Sequence, residues 1–78
     1  VQVNFYAAAA DAAGLRAQAV DGPLSATALV ERLGSDRPAL AAVLARCAIL
    51  VDGRRVDDPA VTLPVDARVD VLPPFAGG

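Results

Sequence analysis

The hydrophobic period changes twice along this chain, and that limits the folds open to it. Val1, Val3 and Phe5 alternate with Gln2 and Asn4, the pattern of a strand with one buried face. Ala26, Leu29, Val30 and Leu33 then recur at the spacing of one helix face. Leu40, Val43, Leu44 and Cys47 repeat that spacing. From Ile49-Leu50-Val51 onward the chain is strand-like again, and it ends in a strand over 68–72 with Val69 and Val71 on one side. With 78 residues there is room for a single small core. Strands at both ends and helices between them predict an α+β domain, a mixed sheet with helices on one face.

The punctuation agrees with this order. A weak second strand is expected over 15–20, since Ala17 and Ala19 are poor strand formers. Residues 8–14 read as a loop or a short helical turn. Asp21-Gly22-Pro23 marks a turn. Ser25 can cap the first helix and Gly34 can end it. Asp36 is a candidate cap for the second helix, with Pro38 in its first turn. Asp52-Gly53 predicts a tight hairpin returning through Arg54-Arg55-Val56. Asp57-Asp58-Pro59 reads as a loop, and Leu63-Pro64-Val65-Asp66 as a turn. The first and last strands are expected as central neighbours, the arrangement of a ubiquitin-like β-grasp domain.

Composition excludes several kinds of chemistry. There is no His, which removes the commonest general base and metal ligand. A single Cys excludes both an internal disulfide and a structural zinc site. The acids are eight Asp and one Glu, and all seven basic residues are Arg. A net charge of −2 argues against binding a phosphate backbone. Without Lys the side chains cannot receive isopeptide-linked chains, so such chemistry would use the C-terminus as donor. No long apolar run could span a membrane and no leader is visible, so the expected location is the cytoplasm. This inventory suits a carrier or binding module better than a self-contained enzyme.

The chemistry is expected in the last six residues, Pro73-Pro74-Phe75-Ala76-Gly77-Gly78. The division is a folded domain over 1–72 and an extended tail over 73–78. Two prolines fix φ and favour extended backbone before them, a semi-rigid base. From Pro73 to Gly78 an extended chain spans roughly 20 Å, enough to enter another protein's cleft. Gly77 and Gly78 can thread a narrow channel, with Ala76 just before them, and Gly78 presents an unhindered carboxylate. A terminal Gly-Gly alone is also what a frayed chain end looks like. Pro-Pro-Phe before it and the β-grasp pattern behind it favour the functional reading.

The whole chain resembles the MoaD/ThiS family of sulfur carriers. The resemblance rests on Val3-Asn4-Phe5-Tyr6-Ala7, on Ser25 opening the first helix, on Val51-Asp52-Gly53, and on Val69-Asp70-Val71-Leu72-Pro73-Pro74-Phe75-Ala76-Gly77-Gly78. The ending is the specific part, and its Pro-Pro looks more like the MoaD branch, the small subunits of molybdopterin synthase. The resemblance implies that Gly78 is adenylated by a MoeB-type enzyme using ATP and converted to a thiocarboxylate. It implies that the tail enters a MoaE-type large subunit, in a heterotetramer, and gives sulfur to cyclic pyranopterin monophosphate. No bound cofactor, nucleic acid or membrane is implied. Carriers for thiazole, cysteine or tRNA thiolation, and ubiquitin-like protein modifiers, share the same tail. The family's Asp-Gly-Asp turn before the last strand is Val65-Asp66-Ala67-Arg68 here, so a different turn is expected.

Other candidates weigh less. Cys47, at the end of an apolar helical face, is expected to be core. Asp57 and Asp58 suit a solvated loop better than a cation site. Arg54 and Arg55 could meet an acidic partner or simply face solvent. Leu72, Pro73, Pro74 and Phe75 are the candidate docking contacts, with Leu72 pointing away from the Val69/Val71 face.

Overall fold

The computed structural model describes residues 1–74. Its elements are β1 (Gln2–Phe5), α1 (Ala8–Ala13), β2 (Ala17–Ala19), β3 (Leu24–Ser25), α2 (Ala26–Gly34), α3 (Pro38–Leu44), β4 (Ala48–Val51), β5 (Arg54–Arg55), β6 (Thr62–Leu63) and β7 (Arg68–Leu72). Five strands form one mixed sheet in the order β2-β1-β7-β4-β5, and β3 pairs with β6 in a separate two-stranded sheet. At the centre, β1 and β7 run parallel, with Val3 opposite Val69 and Phe5 opposite Val71. The two ends of the chain are therefore central neighbours, as their alternation predicts. Parallel neighbours need a crossover, and the helical layer supplies it.

Val3, Phe5, Val69 and Val71 point to the helices and are buried together with Leu29, Leu33, Leu40 and Leu44. Truncating any of these leucines to Ala should cost about 2–5 kcal/mol. A domain this small commands only about 5–15 kcal/mol in total, so one such change consumes a large part of it. Ser25 caps α2 as expected, its Oγ accepting the Ala28 N–H at 3.0 Å. The Asp52-Gly53 hairpin also forms, with φ of 49° and 85° at the two positions. Asp52 adds a side-chain bond, its Oδ1 accepting the Arg68 N–H at 3.1 Å, which ties the hairpin to β7.

The structure corrects the sequence reading at several points. Residues 8–14 contain a helix, α1, closed by Gly14 at φ 73° with its N–H on Ala10 O. Six residues are marginal as an isolated helix. Here Ala9 is fully buried and α1 packs on α3, which supplies what length does not. The second strand is shorter than expected. β3 and β6 are unanticipated, because a two-residue bridge has no period to read.

Asp36 does not cap α3. It takes φ 61°, and Arg37 occupies the cap position without a side-chain bond, while Pro38 begins the helix. Arg37 instead reaches across the layers, its guanidinium donating to Leu33 O at 3.1 Å and to Gln18 Oε1 at 2.8 Å. Gly34 is the last residue of α2 rather than a stop signal in left-handed conformation. A Cβ there would lie 3.0 Å from Ala41 Cβ and 3.2 Å from Ala41 Cα, so this glycine lets α3 approach. The turn before β7 closes by the Ala67 N–H on Pro64 O at 3.0 Å, and Ala67 is buried behind it. No positive φ is needed at Ala67, consistent with the expected change of turn.

Candidate functional site

The helices cover one face of the five-stranded sheet and leave the other open. Alternation along β1, β7 and β4 puts Asn4, Asp70, Leu72, Ala48 and Leu50 on the open face. Arg55 on β5 stands opposite Leu50 and shares that face. Asp70 is its polar centre. Its Oδ1 accepts from Asn4 Nδ2 at 3.1 Å and from the Tyr6 hydroxyl at 3.3 Å, and Arg68 Nε lies 3.9 Å away. A carboxylate set between Val69 and Val71 is thus held from the strand beside it and its continuation.

Tyr6 follows β1 and is 41% exposed, a large aromatic on the rim rather than in the core. Ala7, next in sequence, takes φ 50° and ψ −125°, a region in which an L side chain is strained. The reversal there sends the chain into α1 and leaves Tyr6 at the end of the sheet where β7 finishes. Tyr6, Ala7 and Ala8 line a groove of about 590 Å³ together with Cys47, Ala48, Leu72, Pro73 and Pro74, and Arg46 and Arg55 complete its wall. The groove therefore surrounds the point at which the chain leaves the sheet.

Among the expected docking residues, Leu72 and Pro73 are half-buried and Pro74 is exposed, and all three line this groove. Leu72 faces Ala48 in register and lies on the opposite side of β7 from Val69 and Val71, as alternation predicts. Phe75, Ala76, Gly77 and Gly78 lie outside the described residues. The structure brings Tyr6, Arg46 and Asp70 to the root of the tail. Sequence reasoning did not single these out as site residues. A signal existed for two of them, since Tyr6 continues the outward row of Gln2 and Asn4, and Asp70 stands as an acid between Val69 and Val71.

Cys47 departs from its expected place. α3 ends at Leu44, so Cys47 follows the helix instead of closing its apolar face. It is half-buried, and its Sγ donates to Val43 O at 3.2 Å. Burial pushes its thiol pKa up. A reactive thiol needs the opposite shift. Asp58 uses a carboxylate oxygen locally, accepting the Ala60 N–H at 2.9 Å. That is the bond of a self-contained loop.

The family model of the ThiS family matches residues 3–78. No curated protein sequence matches. Among solved structures, molybdopterin converting factor subunit 1 of Pyrococcus furiosus superposes with a TM-score of 0.83 at 21% identity, covering 95% of each chain. SAMP1 of Haloferax volcanii, a small archaeal modifier protein, gives 0.79 at 22% identity over 99% of this chain and 97% of its own. The complex of subunits 1 and 2 of the molybdopterin-converting factor from Helicobacter pylori gives 0.72 at 19% identity, covering 99% and 96%. At these identities the superpositions establish the ubiquitin-like β-grasp fold. The match of the family model over nearly the whole chain, on that fold, establishes that this chain belongs to the ThiS family, the MoaD/ThiS group of ubiquitin-like sulfur carriers.

Proposed function

We propose that this carrier serves molybdopterin synthesis as the small subunit of the synthase, with the C-terminal carboxylate of Gly78 as its working group. The observation that carries the tail's role is that the family match runs through Gly78, directly beyond the Pro73-Pro74 exit from central strand β7. The Pro-Pro before the tail and the shared fold with subunit 1 of the converting factor favour the molybdopterin branch.

The chemistry asks little of this chain's side chains. A carboxylate is a poor acyl donor at neutral pH. In a MoeB-type enzyme a Gly78 carboxylate oxygen attacks the α-phosphorus of ATP and pyrophosphate leaves. A sulfur donor then attacks the acyl carbon and AMP leaves, giving the thiocarboxylate. Its sulfur is the nucleophile delivered to the cyclic pterin inside a MoaE-type large subunit, and hydrolysis of the resulting acyl–sulfur bond returns the carboxylate. ATP is thus a substrate of the activating enzyme, not a cofactor of this protein. Leu72, Pro73, Pro74 and Phe75 would dock, and Ala76 and Gly77 would thread.

Intact-mass analysis of the protein from its native host tests this reading. One sulfur-for-oxygen exchange at Gly78 is the expected result. Reconstitution with a large subunit and the cyclic pterin should then yield the dithiolene, and deleting Gly78 should abolish transfer while the fold persists. The likeness to a small archaeal modifier protein favours one second reading, conjugation of Gly78 to target lysines. Gly78 found only in isopeptide bonds, and never as a thiocarboxylate, would select it.

A further inference from the structure

None of the seven arginines has a role in the chemistry above, and five of them do not touch the root of the tail among the described residues. Arg46 and Arg55 are the two that reach it: both line the groove together with Pro73 and Pro74. The rest of that groove is apolar or small, and no acid lines it among the described residues. Arg32, Arg37 and Arg68 each engage the fold through Asp21 O, Leu33 O and Asp70. Arg46 and Arg55 make no side-chain hydrogen bond or ion pair among the described residues. Glu31 shares a second groove with Arg55, and Asp57 and Asp58 share a third, but none of these acids is within ion-pair distance of it. An acidic protein of net charge −2 thus sets two guanidiniums, unpaired among the described residues, beside Pro73 and Pro74.

Length makes this rim matter. Gly78 lies four residues past Pro74, a reach of roughly 13 Å when extended. A protein that receives Gly78 must therefore bring the mouth of its cleft close to the rim. That distance is comparable to the Debye length of about 8–10 Å at moderate salt. Charges at the mouth of the cleft then feel both guanidiniums, and the apolar floor at Leu72, Ala48 and Cys47 can seat a side chain.

We propose that Arg46 and Arg55 form a charge-reading rim at the Pro73-Pro74 exit, and that the protein accepting the tail presents carboxylates flanking an apolar anchor to it. This rests on the sulfur-carrier reading and names the chemistry of the partner that reading requires. Rim charges of this kind steer encounter and reject partners of the wrong sign.

The test uses the full chain with the adenylating enzyme of the same host, measuring carrier-dependent ATP–pyrophosphate exchange over a range of salt. For the double variant Arg46→Glu/Arg55→Glu we expect KM for the carrier to rise about tenfold or more at low salt, with kcat retained. The wild type should lose affinity as salt rises, and the double variant should not. Arg46→Lys/Arg55→Lys should restore most of the effect, and Arg54→Glu, outside the groove, should change little. Arg46→Gln/Arg55→Gln gives a smaller shift in the same direction and serves if the reversed pair fails to fold. An unchanged KM in a folded variant would overturn the rim. A lowered KM would overturn it in favour of the chain's own tail carboxylate held by these arginines. A self-association seen by sedimentation and lost in the double variant would overturn it in favour of a second copy. If the wild type supports no exchange at all, the sulfur-carrier reading fails, and the rim fails with it.

Discussion

The Tyr6 hydroxyl donates to Asp70 Oδ1 across the parallel β1–β7 pair, at 3.3 Å, on the open face of the sheet. The same oxygen accepts from Asn4 Nδ2 at 3.1 Å. One carboxylate thus links the strand that begins the fold to the strand that releases the tail. Hydrogen bonds with partial solvent access contribute about 0.5–1.5 kcal/mol each. Asp70→Ala removes both acceptor contacts and should lower stability by about 1–2 kcal/mol, whereas Tyr6→Phe should cost less than about 1 kcal/mol. Urea midpoints at constant m-value check this ordering.

Gly34 lies against Ala41 where α2 and α3 approach closely, a Cβ on Gly34 falling 3.0 Å from Ala41 Cβ. Two effects oppose each other on substitution by Ala. Helix propensity favours Ala by about 1 kcal/mol, while overpacking costs about 1–3 kcal/mol. The neighbouring atoms include Ala41 Cα, which cannot move without the helix, so overpacking should win. Gly34→Ala is expected to destabilise by about 1 kcal/mol. Gly34→Ala/Ala41→Gly should cost less than the sum of the two single changes, a coupling that thermal or denaturant melts can read.

Ala7 offers the converse case. Its φ of 50° with ψ −125° is a conformation in which a Cβ is strained. Relief by Gly is worth about 1–3 kcal/mol, against about 0.4–1 kcal/mol for the added freedom of the unfolded chain. Ala7→Gly should therefore stabilise the protein by about 1 kcal/mol, seen as a higher Tm. A lower Tm would mean that the backbone at Ala7 is not under strain.

Cys47 should be a sluggish thiol. Burial raises its pKa, so less thiolate is present near neutral pH than for an exposed cysteine. Alkylation by iodoacetamide should be slower than for a thiol in an unstructured peptide, and its pH profile should be displaced to higher pH. The sign for stability follows from the same shift. A thiol that binds its proton more tightly in the folded state contributes stability below the unfolded pKa. That contribution is lost as pH rises from the unfolded pKa, about 8.5, through the folded one. Cys47→Ser should flatten this alkaline decline.

Much of this molecule could be read before its structure was known, wherever a pattern had length. The period-two runs at Val1–Phe5 and at 68–72 identified the strands that pair at the centre. The i, i+3, i+4 rows identified α2 and α3, and Ser25 and Asp52-Gly53 marked a cap and a hairpin. The reading lost ground where elements are short or where one residue serves two neighbours. β3 and β6 have two residues each and no period. α1 is Ala-rich, which favours a helix but leaves no stripe to see. Arg37, not Asp36, precedes the helix that Pro38 begins, and its guanidinium joins α2 to β2, a contact with a segment far away in sequence.

The sequence by itself determined the fold class and the buried faces of the long elements, and it supplies the ground on which the chemistry is proposed for the final residues. Each follows from a local rule: periodicity, turn chemistry, or the absence of alternative reactive groups. Only the tertiary structure decided what surrounds the root of the tail. Tyr6, Arg46 and Arg55 come from β1's end, the loop after α3 and edge strand β5, and no spacing along the chain relates them. They meet because β1, β7, β4 and β5 lie side by side, and sheet order is set by packing over the whole core.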